Sequence, residues 1–276
     1  MSELKPVPPL DRLFQMGEVE WGVEWQGDDP DYVGDLGLTN EHVPALINIT
    51  LLQADLEDLP DDDSGWAPVH AWRALAQLRA VEAVEPLLTL QNRLDEYGDE
   101  YHMYDFPVVL GMIGPPAIPA LATFIHNPEN RLYPRINAGE GLCNIGLRHP
   151  EVRREALAPL VEQLARFEEN DYEFNGFLVA QLTRLKATEA AETIERAFAA
   201  NRVTEDISGY WGTVRQELGV AGMGLAPDEP PRPASEGFGL GMGPQDREPR
   251  DRQKEKTAKS KRKQQEKAKK RNRKRK

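Results

Sequence analysis

Five short segments of this 276-residue chain share one pattern: His42-Val43-Pro44-Ala45-Leu46, Ala83-Val84-Glu85-Pro86-Leu87, Ala117-Ile118-Pro119-Ala120-Leu121, Ala156-Leu157-Ala158-Pro159-Leu160 and Ala190-Ala191-Glu192-Thr193-Ile194. Their first residues lie 41, 34, 39 and 34 positions apart. A period of roughly 34–47 residues belongs to units of two helices, each too small to bury its apolar face alone. Stacking neighbours supplies the missing core, so the repeat constrains the fold more than any single motif does.

The residues ahead of each segment repeat as well. Ala74-Leu75-Ala76-Gln77-Leu78, Leu110-Gly111-Met112-Ile113, Leu142-Cys143-Asn144-Ile145 and Leu178-Val179-Ala180-Gln181-Leu182 are apolar stripes at helical spacing. Each predicts a first helix, a tight connection and then a second helix. The clearest echo sets Leu78-Arg79-Ala80-Val81-Glu82-Ala83-Val84-Glu85 against Leu185-Lys186-Ala187-Thr188-Glu189-Ala190-Ala191-Glu192. Pro44, Pro86, Pro119 and Pro159 are all expected near the start of a second helix, where a missing N–H breaks no bond. Alanine and glycine in the stripes let neighbouring helices approach closely. Leu87, Leu121, Leu160 and Ile194 are the expected equivalent core positions.

These residues resemble the HEAT-repeat superfamily, in particular the short HEAT-like units first described in phycobilisome lyases. The stretch from His70-Ala71-Trp72-Arg73-Ala74-Leu75 through Val84-Glu85-Pro86-Leu87-Leu88 carries the likeness, which spans about Thr39 to Ala200. Connections read Arg79-Ala80-Val81-Glu82, Gly114-Pro115-Pro116 and a longer run from Gly146 to Glu151, where the superfamily commonly has Gly-Asp-x-Arg. The resemblance implies an all-α solenoid of about five helix pairs. It leaves activity open, because the superfamily hosts scaffolds, adaptors, lyases and hydrolases.

The expected organisation is a cap or loop region over 1–38, a repeat domain over 39–220, a flexible Gly/Pro linker over 221–249 and a basic, disordered tail over 250–276. Pro9 to Met16 predicts a short helix, Gly27 to Asp31 a loop, and Ser208 to Leu218 a closing helix. Trp66, Trp72 and Trp211 are expected to seal the core or its ends.

Charge divides the chain sharply. The net charge of −12 combines +13 from Arg247 onward with −25 before it. Only five basic residues precede residue 106: Lys5, Arg12, Arg73, Arg79 and Arg93. Lys261, Arg262, Lys263, Lys269, Lys270, Arg271, Arg273, Lys274, Arg275 and Lys276 form a dense cationic run. Such a run engages RNA, DNA or anionic lipid through phosphate contacts and counterion release. No aromatic residue interrupts it, so base stacking is not on offer. Asp61, Asp62, Asp63, Asp95, Glu96, Asp99, Glu100 and Asp105 are a candidate acidic surface for a basic, peptide-like partner or for the tail itself.

Catalytic signals are sparse. The HEAT-repeat deoxyhypusine hydroxylases hold iron through His-Glu pairs, and no His-Glu dipeptide occurs here. HEAT-like DNA glycosylases grip DNA with a basic face, whereas these repeats are acidic. Cys143 lies in an apolar stripe, and being the lone cysteine it excludes an internal disulfide. No Gly-x-Ser-x-Gly elbow is present, and Gly237-Phe238-Gly239-Leu240-Gly241-Met242-Gly243 lacks the Gly-Lys-Ser/Thr ending of a phosphate loop. No catalytic residue, metal site or cofactor is expected. The N-terminus has no signal pattern and no apolar run reaches the ~20 residues of a bilayer span, so a cytoplasmic location is expected.

The expected function is a non-enzymatic protein-interaction scaffold or adaptor with a polyanion-binding tail. The alternatives are a solenoid enzyme or lyase-type chaperone acting on a protein-bound group, and a nucleic-acid-associated factor acting through the tail.

Overall fold

The computed structural model describes residues 7–19, 25, 27, 30–60, 62–97 and 101–220. The expected linker and basic tail lie outside the described residues. Among the described residues there is no strand, and every element, from Leu10 to Leu218, is a helix. The α-helices are α1 (Tyr32–Leu36), α2 (Val43–Leu51), α3 (Ala67–Gln77), α4 (Val84–Tyr97), α5 (Tyr101–Ile113) and α6 (Ile118–His126). They continue with α7 (Leu132–Arg148), α8 (Arg153–Leu164), α9 (Tyr172–Arg184), α10 (Ala191–Ala199), α11 (Glu205–Ser208) and α12 (Trp211–Leu218). The helix foreseen over Pro9 to Met16 is a 3-10 helix, Leu10–Gln15.

One local design recurs. Short 3-10 turns at 40–42, 81–83, 115–117, 150–152 and 188–190 run straight into α2, α4, α6, α8 and α10. Those helices begin 41, 34, 35 and 38 residues apart. Leu46, Leu87, Leu121 and Ile194 each hold the fourth position of their helix, and all are buried. The helices α3, α5, α7 and α9 pack one against the next, as do α4, α6, α8 and α10. Contacts of α2 with α3, α4 with α5, α6 with α7 and α8 with α9 join the two rows.

The paired sequences at 78–85 and 185–192 fold as the same turn. Arg79 and Lys186 both enter the left-handed region, at φ 52° and 51°. The Ala80 and Ala187 N–H groups reach back to the Leu75 and Leu182 carbonyls at 3.0 and 3.0 Å. The Arg79 and Lys186 N–H groups bond to Ala76 and Thr183 at 3.0 and 2.9 Å. These are the two bonds of a Schellman cap, which satisfy carbonyls that a helix end otherwise orphans. A side chain in the left-handed region costs roughly 1–2 kcal/mol, so both turns depend on the caps and on the packing that follows.

The fourth unit departs from expectation. Pro159 is not near a helix start but at the seventh position of α8, because Pro150 rather than Pro159 opens that unit. Helix α8 therefore begins one turn early, Ala156 takes the fourth position, and Leu160 is buried one turn further on. The proline removes the N–H that would bond to the Glu155 carbonyl.

Close approach between helices is set by glycine. A Cβ on Gly111 of α5 would lie 2.7 Å from the Asn144 Cβ on α7, and one on Gly139 of α7 would lie 2.6 Å from the Gln181 Oε1 on α9. Both are inside van der Waals contact: at Gly111 the clash is with an atom fixed to the α7 backbone, so a side chain there forces α5 and α7 apart, whereas at Gly139 the Gln181 amide would have to swing aside.

Described residues of 7–38 share this core. Leu10, Leu13, Trp25, Tyr32, Leu36 and Leu38 are buried with the side chains of α2 and α3. Helix α3 is in consequence covered on every side from Ala67 to Ala76.

Candidate interaction surface

Several positive side chains are placed where neighbours within the chain engage them. Arg153, the first residue of α8, donates to the Leu185 carbonyl from Nε at 3.1 Å and from Nη2 at 2.8 Å, capping the end of α9. Its Nη1 also pairs with Glu189 at 2.8 Å, which holds that carboxyl below its usual range. Arg202 gives Nη2 to the Glu168 and Asn170 carbonyls at 2.7 and 2.7 Å and lies over the Tyr172 ring. Arg12 bonds to the Asp35 carbonyl at 2.9 Å, and Arg93 pairs with Asp55 at 2.5 Å. Arg131 pairs with Asp95, and Arg184 with Glu140. Lys186 donates to the Glu217 carbonyl at the end of α12, 2.9 Å away. Cations at helix C-termini complement the exposed carbonyls there.

Acids stay outside. Glu41, Asp62, Asp63, Glu82, Glu85 and Glu96 are exposed on the first two helix pairs and their connections. Asp62 accepts from the Ser64 hydroxyl at 2.6 Å and the Ser64 N–H at 3.0 Å. Those two bonds keep its carboxyl below the ordinary aspartate range.

The expected acidic surface is only partly on view. Asp62, Asp63 and Glu96 are exposed, and Asp95 is half-buried beside Arg131. Asp61, Asp99 and Glu100 lie outside the described residues, as do all ten basic tail positions from Lys261 to Lys276. Asp105 has to be withdrawn from the set: it is 3% exposed and belongs to the interior. Its Oδ2 accepts Arg73 Nε at 2.6 Å and Trp72 Nε1 at 2.8 Å, and its Oδ1 accepts Arg73 Nη2 at 2.9 Å. Arg73 also lies over the Trp25 ring, 5.1 Å from its centroid. A buried ion pair answered this fully is a cross-link between α3 and α5, not a docking charge. The sequence did carry a signal for it, since Arg73 is the only formal charge in α3 and needs a counter-ion.

Cys143 is fully buried between α7 and α9, and desolvation pushes its thiol up to about 12. A thiol held so far from ionisation is no nucleophile at neutral pH. No group of three or more His, Cys, Asp or Glu side chains fit to hold a metal ion occurs among the described residues. A shallow cleft of about 270 Å³ lies between the 10–15 turn and α1, lined by Arg12, Met16, Tyr32 and Asp35. No single described helix is long and apolar enough to cross a membrane. Comparison with family models, curated proteins and solved structures found no significant match.

Proposed function

We propose that the chain is a non-enzymatic interaction scaffold of the cytoplasm. In this reading the helix pairs from Thr39 to Ala200 form a HEAT-like α-solenoid, and its acidic surface receives a basic, peptide-like segment of another protein. The tail over 250–276 engages polyanions such as RNA, DNA or an anionic lipid surface. One observation supports the reading: Arg12, Arg93, Arg131, Arg153, Arg184 and Arg202 are engaged by carbonyls, rings and carboxylates within the chain, while Glu41, Asp62, Asp63, Glu82, Glu85 and Glu96 face water. An acidic body repels phosphate, so the cationic run after Arg247 is left as the polyanion contact.

The test is charge removal in place. Changing Lys269, Lys270, Arg271, Arg273, Lys274 and Arg275 together to Ala is expected to abolish most RNA binding with no change in helix content by circular dichroism. Neutralising six phosphates loses about a thousandfold in affinity between 50 and 200 mM salt, so the unaltered protein is expected to show a steep salt slope. Binding retained by the six-alanine variant, or independent of salt, contradicts the reading.

A further inference from the structure

We draw no further inference here: the strongest candidate, the apolar outer face of α5 and α7 on which Tyr104 is 50% and Leu147 47% exposed, is a bare helix face, and nothing in the structure shows what covers it.

Discussion

Asp105→Ala is expected to cost about 3–5 kcal/mol of folding stability, read as a shift of the urea midpoint followed by circular dichroism. The substitution strands the Arg73 guanidinium in the interior, together with the Trp72 N–H that shared the same carboxylate oxygen. Both side chains of the pair are almost fully covered, at 8% and 4% exposure, so water cannot replace the lost partner. Removing the charges together, with Arg73→Met and Asp105→Leu, is expected to cost much less than the single change, because no uncompensated charge remains. A loss under about 1 kcal/mol for Asp105→Ala contradicts the assignment of this pair as the cross-link between α3 and α5.

Leu121→Ala is expected to cost about 2–5 kcal/mol, the range for emptying a packed core site that cannot collapse. Leu121 is fully buried on α6, its Cδ1 against Gly141 of α7. Neighbours on both sides of α6 hold the surrounding backbone in place. Leu218→Ala, at the end of α12, is expected to cost less, since this terminal helix packs on α9 and α10 from one side and can adjust. Paired urea titrations check the order. The reverse order would mean that α6 is not interior to the stack.

Much of the helical register was legible in the letters because it is written twice. Leu78 to Glu85 and Leu185 to Glu192 match residue for residue in kind, and the backbone bonds match to within 0.1 Å. A turn defined by local bonds leaves a local trace. The fourth unit misled because it holds two prolines, and Pro150, not Pro159, opens the turn that leads into α8. The fate of Asp105 was not legible from its own surroundings. It lies in a run rich in acids and tyrosines that reads as surface, and its partner is 32 residues away. The attachment of the N-terminal segment to α3 left little periodic signal because single hooks on that helix hold it: His70 at the Gly17 carbonyl and the Tyr32 hydroxyl, and Gln77 at the Tyr32 N–H. Interactions of that kind are legible only once the helix that supplies the hooks is in place.

Filter binding of three species to one RNA duplex most directly tests whether helical body and tail divide the work: the full chain, a chain ending at Asp246, and the peptide from Arg250 to Lys276. The body before Arg247 carries −25, and tethering keeps it at high effective concentration beside the +13 tail, where it competes with phosphate. The peptide is therefore expected to bind more tightly than the full chain, the chain ending at Asp246 not at all, and both active species to weaken steeply with salt. Affinity retained by the chain ending at Asp246 would contradict the division and place the polyanion site on the helices.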